Sequence, residues 1–428
     1  MLYKGINLGN VKLSNRSAIL QLLNRQGAMS RKDIAEAVGL TPASVTLICN
    51  ELLEEHIIKE VGEVEEKRAG RKKILVSINE EYRYVLCIGI EANETYISVT
   101  NFLGQLRKSK VLLTDSNEEP ESFFKRVADE CKMLLWESEI TREQILAIGV
   151  SVPGKVDTEK GISLNSYSIW EKPVPIKALL EKELGLTVYV ENNVKAYARM
   201  EIMYGAGRSD DNVMLLKWGP GVGAAIIIHS ELYQGGFGNA AEIGHVISNR
   251  GGIKCKCGRE GCLETEISTH AIIDSIKEAY GIEDEGKCIS RDQHEKKESA
   301  DDTSLMDWLE AGNELSYYNT SEWACIKDDK LQKLLLEKID RFAFTIRNVV
   351  GVIDPEKIVV CGYLFEVPGF FEAFIEAYCK YDSRDYEKEL TKEEAQKKKH
   401  NFFVKSELMA KTYHTEALSA VIDHWLRA

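Results

Sequence analysis

The sequence predicts an α/β chain in which a small helical module ending in a hairpin precedes two lobes of apolar strands and crossover helices. Three observations predict it. The first 78 residues show helical periodicity with well-placed caps, strand-like apolar runs begin at Tyr84, and 428 residues exceed one ordinary core. Length alone suggests about two to four domains, and the pattern change sets a boundary between a module of residues 1–79 and a body of residues 80–428.

In chain order, Asn15 to Asn24 sets Ile19, Leu20, Leu22 and Leu23 on one helical stripe, which Gly27 stops. Ser30 caps a second helix, with Asp33 at the third position and Ile34, Ala35 and Val38 on its apolar face. Gly39 and Leu40 make the corner. Thr41 caps a third helix with Pro42 at its first position, where a missing N–H costs nothing. Val45, Ile48, Leu52 and Leu53 face its core, and Ile57 and Ile58 lead into a strand. Gly62 to Ile78 then alternates toward its end and gathers Lys67, Arg68, Arg71, Lys72 and Lys73 around Gly70.

Two helices joined by a short turn can project the second into a major groove, and a basic hairpin behind them suits a wing on the phosphate backbone. This is a winged helix-turn-helix pattern, and its expected partner is double-stranded DNA. Candidate contacts are Arg31, Thr41, Ser44, Thr46 and Asn50 on the helices and Arg68, Arg71 and Lys72 in the wing. Lys12 and Arg16 fit either phosphate contacts or ordinary solvent-facing charges.

Behind the module, strands are expected at Val85 to Ile90, Tyr96 to Asn101, Val111 to Leu113, Ile145 to Val152 and Val188 to Val190. Further strands fit Val213 to Leu216, Ala224 to Ile228 and Ile358 to Val360. Ile145 to Val152 is almost wholly apolar, as a strand covered on both faces should be. Helices fit Ser122 to Glu137, Ile176 to Glu183, Asn193 to Ile202 and Leu331 to Val350. The polar stretch from Glu283 to Asp302 reads as a surface excursion, and residues 382–399 alternate charge as a solvated helix does.

The net charge of −13 argues superficially against nucleic acid, but residues 1–79 hold 12 Lys/Arg against 9 Asp/Glu, a net of +3 that leaves −16 for the rest. A basic module on an acidic body can still bind DNA, because phosphate contacts are local and screened. No apolar run is long enough to span a bilayer, and the N-terminus has no signal-peptide pattern, so a cytoplasmic location is expected. Ten scattered cysteines do not make a secreted disulfide framework.

Three constellations carry chemistry. His245 with Cys255, Cys257 and Cys262, in the string GHVISNRGGIKCKCGREGCLE, suits a closed tetrahedral Zn²⁺ site of structural type. Gly219-Pro220-Gly221-Val222-Gly223 fits either a tight hairpin or a close approach to phosphate, and the P-loop lysine is missing. Val190-Glu191-Asn192-Asn193 is a strand end with polar side chains, either a ligand edge or the cap of the next helix, and Glu242 lies three residues before the histidine.

These strings resemble the ROK family of repressors, open reading frames and sugar kinases over roughly residues 7–375. The regulators of xylose-repressor type are most similar: SRKDIAEAVGLTPASVTLICNELLEEHIIKE resembles their DNA-binding segment, and SVPGKVD, AEIGH and DPEKIVVCG resemble shared elements. The resemblance implies a two-lobed sugar-kinase-like fold of the actin and hexokinase type. It implies that Asn192, Glu242, His245 and Glu264 face a sugar, with Asn193 beside them where the kinases carry a catalytic aspartate.

The departures imply a lost kinase. An amide at Asn193 cannot take a hydroxyl proton as a carboxylate does. The first phosphate loop falls near Glu91-Ala92-Asn93, where side chains would obstruct a close backbone approach, and Pro220 replaces a threonine in the second. Ala241 stands where most relatives have glycine. The expected function is therefore a sugar-responsive DNA-binding regulator, a repressor of carbohydrate genes that works as a dimer or tetramer and is not an enzyme. Its rivals are a regulator whose cleft binds a protein and a sugar kinase of the same family.

Overall fold

The computed structural model describes residues 8–64, 73–166, 169–282, 304–382, 402–408 and 415–427. Arg68, Arg71 and Lys72 of the expected wing, and nearly all of the two polar stretches at 283–302 and 382–399, lie outside them. The chain forms two compact units, Met1–Arg208 with Lys411–Ala428, and Ser209–Ala410.

The first unit opens with α1 (Leu8–Gln26), β1 (Met29–Ser30), α2 (Arg31–Val38) and α3 (Pro42–Glu54), then β2 (Ile58–Val64) and β3 (Lys73–Ile78). Helix α1 begins seven residues before the expected start at Asn15 and stops at Gly27, whose N–H donates to Leu23 O. The caps fall where the sequence placed them: Ser30 accepts from Asp33 N, Thr41 accepts from Ser44 N, and Gly39 closes α2 at φ 68°. Strand β3 lies between β1 and β2, so the hairpin is welded to the turn before α2.

Next come β4 (Tyr84–Ile90), β5 (Glu94–Asn101), β6 (Leu106–Leu113), α4 (Pro120–Glu137), β7 (Ile145–Val152), β8 (Lys155–Asp157), β9 (Ile162–Asn165), α5 (Ile176–Leu184), β10 (Val188–Asn192) and α6 (Asn193–Tyr204). The sheet order is β10-β7-β4-β5-β6, with β4, β7 and β10 parallel. Their carboxyl ends therefore share one edge. Phe123, Phe124, Cys131 and Leu180 of α4 and α5 bury one sheet face with Ile88, Ile148 and Val150.

The second unit holds β11 (Val213–Trp218), β12 (Val222–Ile228), β13 (Glu231–Leu232), α7 (Glu264–Ile267), α8 (Thr269–Tyr280), α9 (Leu305–Glu310), α10 (Thr320–Trp323), α11 (Asp329–Ile353), β14 (Lys357–Cys361), α12 (Phe370–Tyr381) and β15 (Phe403–Lys405). Its sheet order is β13-β12-β11-β14-β15. Trp218, Phe342, Phe365 and Phe374 form the aromatic centre of its core.

The chain then returns to the first unit as α13 (Leu418–Arg427), a helix not foreseen from the sequence. Ala417 O lies so near β7 that a Cβ at Gly149 would come within 2.1 Å of it. Ser419 donates to Ala196 O of α6 at 2.9 Å, Asp423 pairs with Arg199, and Ser17 of α1 donates to Leu426 O. Helix α13 thus joins the N-terminal module to the first sheet. Among the described residues no helix is long and apolar enough to cross a membrane.

Candidate functional site

Thr41, at the cap of α3, and Thr46, Leu47 and Asn50 on the helix are exposed, and Ser44 is half-buried. Cap formation already uses part of this polar set: Thr41 Oγ1 and Ser44 Oγ lie 2.9 Å apart, and Thr46 Oγ1 donates to Pro42 O at 2.7 Å. Asn50 remains on the open face. The sequence reading missed Leu47, which is 61% exposed while Val45, Ile48, Cys49 and Leu52 of the same helix are buried. An apolar residue there is what contact with a thymine methyl uses, and its place out of the apolar stripe was the available signal.

Arg31 pairs with Glu60 of β2 at 3.1 Å. Lys12 and Arg16 pair with Glu51 and Glu55 at 2.8 and 2.6 Å, so these two cations of α1 brace the recognition helix. The bidentate Arg16 guanidinium holds the Glu55 carboxyl below its ordinary range.

In the second unit, the chain from Ile243 to Glu264 folds as a knuckle. Cys255 N donates to Arg259 O and Gly258 N to Cys255 O, which places Cys255 and Cys257 at the tip of a tight turn. Gly261 is required: at φ +72°, a Cβ there would lie 1.6 Å from Asn249 O. Four donor atoms converge, from His245, Cys255, Cys257 and Cys262, all within 4.8 Å of one another. His245 Nδ1 is 3.6 Å from Cys255 Sγ, and the Cys257 and Cys262 sulfurs are 3.5 Å apart. A tetrahedron with Zn–S bonds of about 2.3 Å has edges of about 3.8 Å, so the cluster has the size and donor chemistry of such a site.

Without a metal among them the three sulfurs are driven in different directions. Against the upward push of burial, the Arg259 backbone N–H and guanidinium and the neighbouring thiols hold Cys257 down to about 6. Burial and its thiol neighbours push Cys262 up to about 12. Three thiolates this close would need a cation among them, and a metal ion held by these four residues would supply it.

The ligand-facing residues inferred from the resemblance fall in both units. In the second, Glu264 opens α7 directly after the knuckle and accepts from Val222 N at 3.0 Å, while Glu242 is exposed just before the 3₁₀ turn Ile243–His245. His245 turns Nδ1 toward the thiols. The Gly219–Gly223 stretch is a tight hairpin turn, since Trp218 pairs with Val222 and Gly219 N donates to Gly221 O. Ala241 sits at φ 64°, a conformation suited to glycine.

In the first unit, Asn192 caps α6 by accepting from Lys195 N, and its amide donates to Gly154 O at 2.8 Å. Asn193 is 5% exposed, and its amide donates to Glu91 Oε1 at 3.1 Å. Glu91, just past β4, was read from the sequence only as part of a phosphate loop, and the parallel register brings it to the asparagines.

A family profile described as ROK family matches residues 87–402. The chain belongs to the ROK family. A second profile, winged helix-turn-helix DNA-binding, matches residues 14–59 of this ROK protein. A putative xylose repressor of Caldicellulosiruptor sp. (strain Rt8B.4) is 30% identical over 291 residues, 68% of this chain and 72% of the relative. The N-acetylglucosamine repressor of Escherichia coli O6:H1 is 28% identical over 369 residues, 84% of this chain and 83% of the relative. Among solved structures, a ROK family transcriptional regulator described as a homolog of E. coli MLC protein shares the fold, with a TM-score of 0.75 at 23% identity over 97% of each chain. Within the family, this chain is a xylose-repressor-like DNA-binding transcriptional regulator.

Proposed function

We propose that this ROK regulator represses carbohydrate-metabolism genes by binding operator DNA through residues 1–79, and that a sugar bound by residues 80–428 changes its operator affinity. One observation carries the sugar response. Helix α6 begins at Asn192 and Asn193, runs 12 residues, about 18 Å, and leads to Arg208, which is locked to the C-terminal end of α1. Arg208 donates through Nη2 to Asn24 O at 3.1 Å and through Nε to Arg25 O, and Arg25 Nε donates back to Arg208 O at 2.6 Å. The candidate ligand residues thus lie at one end of α6, and the turn that follows its other end holds the DNA-reading module. A ligand that shifts α6 also shifts α1 and, through Glu51 and Glu55, α3.

Zn²⁺ held by His245, Cys255, Cys257 and Cys262 would serve the fold by pinning Glu242 and Glu264 on either side of the knuckle. Phosphoryl transfer is not expected, because Asn193 supplies no carboxylate. The asparagine is instead engaged by Glu91 and by Val194 N.

A two-fold assembly, dimer or tetramer, is favoured by the outer face of α11. Leu336 (55% exposed), Asp340, Phe344 (51%), Asn348 and Val352 (83%) repeat every four residues. About an axis at Phe344, Leu336 meets Val352 of a second copy and Asp340 meets Asn348, the self-complementarity that an isologous contact needs.

Fluorescence anisotropy of a labelled fragment from upstream of the gene tests the function, with protein titrated at fixed salt and sugars then added. Specific binding altered by one sugar is the expected result. Binding that no sugar changes would replace the effector with a protein partner.

A further inference from the structure

We infer that α3 reads A·T base pairs: Ala43 and Leu47 take thymine methyls and Asn50 reads an adenine beside them, so the bases under this helix are not G·C pairs. The inference rests on the proposed operator contact of α3, and it follows from what that helix lacks as much as from what it shows. Its 13 residues, PASVTLICNELLE, contain no Lys or Arg. Guanine presents two acceptors in the major groove, N7 and O6, and its common reader is the N–H donors of Arg or Lys. Helix α3 has no such donor to offer.

The hydroxyls at the start of α3 are engaged by the helix itself. Thr41 Oγ1 and Ser44 Oγ lie 2.9 Å apart in the cap, and Thr46 Oγ1 donates to Pro42 O at 2.7 Å. Asn50 is exposed and takes no part in that network. Its carboxamide, one acceptor and one donor group, matches N6–H and N7 of adenine. Cytosine would be read by a carboxylate, and neither acid of α3 is placed for it. Glu51 is held by Lys12 at 2.8 Å. Glu54 lies four residues, about 6 Å, beyond Asn50 toward the C-terminal end, whereas a recognition helix reads bases with its N-terminal residues.

What remains is apolar. Ala43 and Leu47 are both exposed and lie one helical turn apart, and Asn50 follows Leu47 by three residues on the same face. The thymine methyl is the apolar group that base edges present in the major groove, and Ala or a larger apolar side chain is its partner. From Ala43 to Asn50 the helix rises about 10 Å, the length of about three base pairs.

The test is selection of bound duplexes from a library with a random core, using the full chain, followed by anisotropy titration of labelled duplexes carrying the recovered half-sites. These should hold about three A·T pairs at the positions where Leu47→Ala or Asn50→Ala relaxes the preference. Deoxyuridine in place of the contacted thymine removes one methyl, and should weaken wild-type binding about fourfold and Leu47→Ala binding by less than about twofold. Asn50→Ala should lose about 5–150-fold of discrimination at one adenine. Both positions are exposed, so both variants should melt with the wild type. A G·C pair recovered at a position that either variant relaxes, or a wild type indifferent to deoxyuridine, overturns the inference while leaving operator contact by α3 standing. Preferences that neither variant changes, or no enrichment at all, remove α3 from base contact, and the inference with it.

Discussion

Replacing Arg208 by alanine should disconnect the ligand edge from the DNA-reading module while leaving both intact. The change deletes two guanidinium bonds, to Asn24 O and Arg25 O, at the end of α1 where helix carbonyls have no partner in their own helix. Charge-assisted hydrogen bonds contribute about 1.5–3 kcal/mol each when buried. Arg208 is half-buried, so screening reduces the pair to about 1–3 kcal/mol in total. An allosteric coupling is itself typically about 1–3 kcal/mol, or about 5–150-fold in affinity, so this loss is as large as the whole effect. In the anisotropy assay, Arg208→Ala should bind operator within about threefold of wild type without ligand and respond to the effector by less than about twofold. Calorimetry should show effector affinity unchanged. Arg25→Met, which removes the reciprocal bond, should give a weaker form of the same phenotype. A full ligand response in a folded Arg208→Ala protein would refute transmission through α6 and α1.

Other outcomes follow from single features. Ala241→Gly should raise unfolding free energy in urea by about 0.5–1 kcal/mol, since relief of a left-handed alanine outweighs the extra chain entropy of glycine. Purified protein should contain one zinc per chain by elemental analysis, and Cys255→Ser or prolonged chelation should remove it and lower the melting temperature. Phe344→Asp should shift the oligomer toward monomer in light scattering, and Leu336→Lys with Val352→Glu should restore what either alone disrupts. Burial depresses the His424 pKa below 6.5, where its ring stacks on Tyr189 at 4.3 Å. The unfolded chain therefore takes up the proton first, so stability should be full above about pH 6.5 and fall as pH drops through the depressed folded value, a slope that His424→Phe removes.

Much of the fold was legible because its signals are local. Ser30, Gly39, Thr41 and Pro42 fix the ends of α2 and α3 through bonds spanning only a few residues, and the structure keeps each of them. The run Ile145–Val152 is a strand at those bounds because it is almost wholly apolar and nearly all of it is buried. The knuckle was legible for the same reason, since its cysteines and glycines lie close in the chain. Helix α13 was missed because its sequence gives no outward sign of its partners: Trp425, His424 and Asp423 find theirs only in Phe102, Tyr189 and Arg199.

The sequence by itself therefore determined the helix-turn-helix, the alternation of strands and helices, the metal-binding donor set and the missing carboxylate at residue 193. These depend on residue type and short spacing. Tertiary structure alone decided which residues meet across long separations. It turned Glu91 onto Asn193, 102 residues away, through the parallel register of β4, β7 and β10. It paired Arg25 with Arg208 across 183 residues and gave Lys12 and Arg16 to the recognition helix. No local pattern encodes such pairs, because they arise only when sheet register and helix packing have placed both backbones, and the proposed transmission of a ligand signal to DNA depends on them.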